Sequence, residues 1–266
     1  MKTKLTTTFA VVVVALVVFG ASGSTTYSWF SDSDHSSITI TMAVNIVLEE
    51  DSNEEIVIDE SQYGKVDLNY HIVSNKLTNH GTMSVNDGTI KVKGRGLDNF
   101  GVATITDVTM EVGSPGAYGC VSEKGSYTVY DNVTITSAGG GIGVADGAKS
   151  VFNSGSVAVN STSTSGRYVF YVVGEGSELT INDGDFSFSK TLNQKRAYVH
   201  VGEGATVNIM GGTFGKASSR SGYTAGLLGS GTIIITGGTF GFDPSNWVAD
   251  GYEAVKNGEN WTVSKK

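Results

Sequence analysis

Val207-Asn208-Ile209-Met210-Gly211-Gly212-Thr213-Phe214 returns 26 residues later as Ile233-Ile234-Ile235-Thr236-Gly237-Gly238-Thr239-Phe240. An earlier copy, 28 residues upstream, reads Leu179-Thr180-Ile181-Asn182-Asp183-Gly184-Asp185-Phe186. Each copy has two alternating apolar positions, a glycine bend and an aromatic. Alternation with a period of two is the signature of a half-buried strand. One such unit cannot bury its own apolar side, whereas stacked copies can.

Working outward, further copies begin at Met83, Ala103, Tyr127, Ser150 and Trp261, so the eight units are spaced by 20, 24, 23, 29, 28, 26 and 28 residues. The second inward column reads Val85, Ile105, Val129, Phe152, Ile181, Ile209 and Ile235. Beyond the bend comes Ile90, Met110, Val157, Phe186, Phe214 and Phe240; the Tyr127 unit joins this column only if it slips by one residue, to Ile135. Each unit also carries a lead-in strand, as in Tyr171-Val172-Val173-Gly174-Glu175-Gly176 and Val199-His200-Val201-Gly202-Glu203-Gly204. Short strands in a recurring phrase with ladders in register predict an all-β chain: a right-handed parallel β-helix of about eight or nine coils. Its handedness is taken from the general crossover rule.

Composition agrees. The chain has 36 Gly against 2 Pro, with 39% apolar and 17% charged residues, which suits strands joined by tight turns. Residues 1–24 read as a signal peptide: Lys2 and Lys4 precede an apolar run from Phe9 to Phe19, and small residues follow. The run is shorter than the ~20 residues that span a bilayer, so removal is favoured over retention as an anchor. Residues 25–60 form an N-terminal β segment or cap, and 61–266 the repeat domain. Within the cap, Ile38, Ile40, Met42, Val44, Ile46 and Leu48 alternate as one strand, and the acidic run Glu49–Glu55 reads as a solvated turn rather than a calcium loop. Near the end, Asp243, Pro244 and Gly251 bracket a short helical turn, with Asp243 as its cap.

Two resemblances add to this. The apolar run followed by Trp29-Phe30-Ser31-Asp32 resembles the exported N-termini of the camelysin and TasA group of surface and matrix proteins. The stretch from Gly237 through Asp243-Pro244-Ser245-Asn246-Trp247 to Gly258 resembles the closing repeat of secreted microbial β-helix proteins of the pectin-lyase-like superfamily. The second resemblance implies the fold and a secreted or cell-surface setting. It implies no single activity, since that superfamily spans lyases, hydrolases, adhesins and structural rods.

Charge narrows the partners. The formal charge is −8, and −10 once Lys2 and Lys4 leave with the leader. Such a chain is a poor ligand for nucleic acid, which demands clustered Lys and Arg. Membrane contact is expected only through the leader, if it is uncleaved. Cys120 is the only cysteine, and it lies in an apolar run, so it reads as a buried, inert thiol. His35, His71, His80 and His200 show no metal-ligand spacing. Asp87, Asp107, Asp131 and Asp183 fall near one column at the bend, a placement that turn chemistry alone explains. No catalytic residue, metal or cofactor is assigned.

The nearest approach to a binding site is a set of polar expansions in the longest units, 160–167, 189–196 and 216–223. They gather Arg167, Lys190, Lys195, Arg196, Lys216 and Arg220, with Tyr198 and Tyr223 at their ends. Basic groups beside flat aromatic faces suit an acidic glycan. Asn132, Asn160 and Asn260 match the N-glycosylation acceptor pattern, with Asn160 in the most polar loop. The expectation is an exported cell-surface or secreted protein with a structural or adhesive role. Its partners would be extracellular glycan or other surface proteins. The alternative is a polysaccharide lyase or glycoside hydrolase of the pectin-lyase-like type.

Overall fold

The computed structural model describes residues 42–161, 167–188, 196–216, 219–220, 223–224 and 226–266. The leader, the Trp29–Asp32 phrase and the first half of the expected 38–48 strand lie outside these. Among the described residues the protein is all-β, with a single three-residue 3-10 turn at Ser245–Trp247 and no α-helix. No described helix is long and apolar enough to cross a membrane.

The strands fall into parallel ladders. The first ladder includes Gln62–Asp67, Tyr127–Asp131, Lys149–Phe152, Glu178–Ile181, Thr206–Ile209 and Thr232–Ile235. The second includes Val133–Ser137, Gly155–Val159, Asp185–Phe188, Thr213–Lys216 and Gly238–Gly241. Thr82–Val92 and Val102–Val112 run through both, which merges them into one 17-stranded sheet. The third ladder is a separate 8-stranded parallel sheet, from Ile56–Ile58 to Leu227–Gly229. From Gln62 onward the chain visits first, second and third ladder in fixed order, which is compatible with the coil arrangement expected from the repeats.

Cross-ladder registers place the apolar columns. Val157, Phe186, Phe214 and Phe240 are consecutive partners, and all four are at most 2% exposed. The Phe186 and Phe214 rings lie 4.8 Å apart and Phe214 and Phe240 4.9 Å. One unit departs from the sequence alignment. Ala103 faces Thr128, not Tyr127, and Ile105 faces Tyr130, not Val129. The one-residue slip needed at Ile135 thus holds for the whole unit. Its reason is hydrogen bonding. Fully buried Thr128 Oγ1 lies 2.6 Å from Ser122 Oγ and accepts from Asn99 Nδ2 at 2.8 Å, so a hydroxyl fills the inward position while Tyr127 stays 41% exposed.

That contact belongs to a buried polar ladder. Asn79 and Asn99, both 0% exposed, occupy successive strands of the third sheet. Asn79 Nδ2 donates to Asn99 Oδ1 at 2.7 Å, and each side-chain carbonyl accepts the amide two residues on, at Gly81 and Gly101. Asn79-His80-Gly81 is therefore a turn, repeated as Asn99-Phe100-Gly101, with the His80 and Phe100 rings stacked at 5.0 Å.

The carboxylate column is also shifted. Asp87 and Asp107 take φ of 58° and 54°, and the residue in register with them is Asn132 at 51°, one after Asp131. Asp and Asn tolerate this left-handed region. In the next four units the bend is made by Gly155, Gly184, Gly212 and Gly238 at φ of 94–134°, a range suited to glycine. A Cβ on Gly155 would lie 2.1 Å from the Val133 carbonyl oxygen. Among the described residues no group of three or more His, Cys, Asp or Glu could hold a metal.

The C-terminal unit does not add another parallel rung. Tyr252–Asn257 and Asn260–Lys265 form a hairpin that pairs antiparallel with Gly238–Gly241, setting Trp261 opposite Phe240. The turn before it is not capped through N2 or N3. Asp243 Oδ1 accepts from the Ser245 amide and hydroxyl, and Pro244 occupies the cap position.

Candidate functional site

The edge where the chain leaves the second ladder for the third carries a cleft of about 910 Å³. The short connections 74–76 and 93–96, with the ends of Thr82–Val92 and Val102–Val112, build it. Lys76, Lys91, Lys93 and Arg95 line it, with Glu111 and Asn160. The local reason is alternation. In Lys91-Val92-Lys93-Gly94-Arg95 the valine turns into the core at 8% exposure and the cations turn out.

Most of these cations are held by carboxylates. Lys76 Nζ lies 3.2 Å from Asp98 and 3.5 Å from Glu55. Its hydrogen bond to Asp98 is the main cause raising the ammonium above its ordinary pKa. Arg95 lies 3.0 Å from Asp98 and 3.7 Å from Glu123, and Lys91 is 2.7 Å from Glu111. Lys93 is exposed and forms no ion pair among the described residues. The half-buried Asn160 has a side-chain oxygen that is buried without a hydrogen-bond partner among them. The Lys91–Glu111 pair is exposed and worth only ~0–1 kcal/mol, so an anionic ligand can displace that carboxylate at small cost, whereas Asp98 is buried and stays with Lys76 and Arg95. The chemistry on offer is attraction and hydrogen bonding to anions. The two carboxylates nearest the cleft, Asp98 and Glu111, are each engaged by a cation.

The residues expected from the sequence are distributed as follows. Arg167 opens a third-ladder strand, Arg167–Val172, and its Nε donates to the Pro115 carbonyl at 2.7 Å, tying it to this same edge. Arg196 is its register partner in the neighbouring strand. Lys216 is exposed and paired at 2.5 Å with Glu259 of the terminal hairpin, which lowers the Glu259 carboxyl through that hydrogen bond. Arg220 faces Tyr223 across a two-residue antiparallel pair, Ser219–Arg220 with Tyr223–Thr224. Lys190 and Lys195 lie outside the described residues. Tyr198 is not a surface ring. At 2% exposure it packs edge-on against Phe214 and beside Phe188 and Phe242, so it belongs to the core. Burial pushes its hydroxyl up to about 12. Asn132 and Asn260 are exposed, whereas Asn160, half-buried, faces the cleft.

The structure thus brings Arg167 and Arg196 together and adds four cations that the repeat alignment passed over. The signal for them was present as three basic residues at every second position, 91, 93 and 95. Comparison of the chain with protein-family models, with curated proteins and with solved structures finds no match.

Proposed function

We propose that this chain is an exported structural or adhesive protein of the cell surface or its surroundings. In this reading it is a right-handed parallel β-helix with acidic glycan held along its cationic edge. The basic-then-apolar N-terminus supports export. The fixed ladder order supports the β-helix, and the crossover rule supports its hand. The observation that carries the binding role is the cleft. A chain of net charge −8 places Lys76, Lys91, Lys93 and Arg95 around one cavity large enough for a few sugar units. Arg167 adds to the same edge, where its Nε donates to the Pro115 carbonyl. The lyase or hydrolase alternative would need a converging acid, base and metal set, and no observation favours it.

The test is retention on immobilised polygalacturonate and dextran sulfate, with plain dextran as control. Wild type should be retained on both acidic matrices at low salt and released as salt screens the charges. Lys93→Glu/Arg95→Gln should elute early. Equal elution of wild type and variant, or passage of both unretained, would contradict the proposal.

A further inference from the structure

The stacked strands end in two unlike edges. At the N-terminal end, Met42–Val47 is paired on one side only among the described residues, with Gln62–Asp67. The Leu48 amide donates to the Asp67 carbonyl on that side. Alternation along the strand then aims the backbone groups of Ala43, Asn45 and Val47 the other way, at an edge with no partner among the described residues. Proline and charged side chains are the devices that usually keep such an edge from pairing, and Met42-Ala43-Val44-Asn45-Ile46-Val47 contains neither. Val44 and Ile46 stay half-exposed, whereas Val66, the register partner of Ile46, is fully buried. The apolar column thus stops here without a covering strand among the described residues.

At the other end Tyr252–Asn257 is the outermost strand, paired among the described residues only with Asn260–Lys265. The Lys266 amide donates to the Gly251 carbonyl, so the same alternation turns the backbone groups of Tyr252, Ala254 and Lys256 to the free side. Direction is decisive. Asn260–Lys265 runs antiparallel to Gly238–Gly241, and Tyr252–Asn257 runs antiparallel to Asn260–Lys265. Two reversals restore the sense of the parallel ladders, which is the sense of Met42–Val47. Both edge strands are six residues long. Their charges are opposite. Residues 42–64 carry Glu49, Glu50, Asp51, Glu54 and Glu55 but no Lys, Arg or His. Of these acids, Glu49, Glu50 and Glu54 are exposed and form no ion pair among the described residues. In the terminal hairpin Lys256, Lys265 and Lys266 are exposed and likewise form none, while Glu259 is already held by Lys216.

We infer that the partner of each edge is a second copy of this chain: the Tyr252–Asn257 edge of one copy adds in parallel to the Met42–Val47 edge of the next. Parallel addition repeats the pairing used throughout the ladders and gives Val44 and Ile46 the covering strand they lack. It also sets the hairpin lysines against the acidic stretch that follows Met42–Val47. A strand from an unrelated protein has no reason to match this edge in length, sense and charge together. The two surfaces differ, so the contact is heterologous and every copy keeps one free end. Copies therefore add one after another into an open chain rather than closing as a two-fold dimer. This assembly uses neither the cationic cleft nor any glycan, and it stands or falls apart from the proposed binding role.

The experiment is sedimentation velocity on the leader-free chain, residues 25–266, across a concentration series at low and high salt. It compares wild type, Asn45→Pro, Lys256→Glu/Lys265→Glu and an equal mixture of the two variants, each checked for folding by circular dichroism. Wild type should give species that keep growing with concentration and fall back to monomer as salt rises. Asn45→Pro removes an outward amide from one edge and leaves the bonds to Gln62–Asp67 in place. The double substitution reverses the charge of the other edge. Each variant alone should need roughly tenfold more protein to associate. Mixed, they should stop at a heterodimer, because each brings one intact end. A wild type that stays monomeric, a wild type that stops at a dimer, or a mixture no more associated than its parts would overturn the inference. Assembly that appears only after residues 25–41 are removed would also overturn it and assign the edge to that segment. Should Asn45→Pro fail to fold, Val47→Lys replaces it in the mixture, setting like charge against the hairpin lysines.

Discussion

Replacing Asn99 with Ala tests the buried polar ladder that sets the register of the strands around Thr128. The Asn99 side chain accepts from Asn79 Nδ2 at 2.7 Å and from the Gly101 amide at 3.1 Å. Its amide donates to Thr128 Oγ1 at 2.8 Å and to the carbonyls of Tyr127 and Gly101 at 3.0 and 3.2 Å. Alanine leaves the Gly101 amide without its partner and strips one acceptor from Asn79. A buried polar group without a partner costs ~1–3 kcal/mol, so losing partners at two or three such groups sums to ~3–5 kcal/mol. Domains of this size lose ~2–4 °C of midpoint per kcal/mol, which puts the expected drop near 10 °C. The assay is thermal and urea unfolding at neutral pH. The control is Asn75→Ala, whose one cross-coil bond, Nδ2 to the Asn53 carbonyl at 3.1 Å, is exposed and should cost under ~1 kcal/mol. An Asn99→Ala midpoint within about 2 °C of wild type would refute the reasoning, because the ladder would then be decoration on an apolar stack.

Phe214→Ala should destabilise the protein by ~3–5 kcal/mol, since the ring is 1% exposed between Phe186 and Phe240, and an unchanged urea midpoint would break the aromatic column. Burial pushes the Cys120 thiol to about 12, and its Sγ donates to Met110 Sδ at 3.1 Å; thiol-specific reagents should therefore leave the native protein unmodified and label it once unfolded. Burial lowers the His200 pKa below the ordinary 6.5, and its Nδ1 is buried without a hydrogen-bond partner among the described residues. Both states are neutral above that value. As pH falls below it the unfolded chain takes up the proton first, so stability declines until the folded-state pKa is passed. His200→Gln should flatten that part of the pH–stability curve, and an unaltered curve between about pH 7 and 5 would contradict the assignment.

The repeat was legible because apolar side chains at every second position have one reason to recur, a buried face shared by successive parallel strands. The Leu179, Val207 and Ile233 units align in the structure as they do in the sequence. The Tyr127 unit misled, because Tyr127 and Val129 look more apolar than Thr128 and Tyr130. Only the Asn99 and Ser122 partners make Thr128 the inward residue. The final unit misled for a related reason. Trp261 keeps the apolar spacing, but hairpin pairing reverses its strand, and nothing in a period-of-two pattern encodes strand direction. The cationic residues after Ser150 drew attention through loop length, while Lys91, Lys93 and Arg95 sit in a short unit where charge alternation was the only sign. Tyr198 looked like a loop-end ring. Consecutive inward positions at Tyr198 and Val199, matched by Val169 and Phe170 next door, carry it into the core instead.

The central claim is that the cationic edge of this acidic protein holds an anionic glycan, and a calorimetric titration with hexagalacturonate across a salt series tests it most directly. Wild type should bind saturably, with affinity falling as salt rises, and Lys93→Glu/Arg95→Gln should lose most of that affinity while remaining folded by circular dichroism at the assay temperature. Binding that is indifferent to both salt and the double substitution, or no binding by a folded wild type at low salt, would contradict the account.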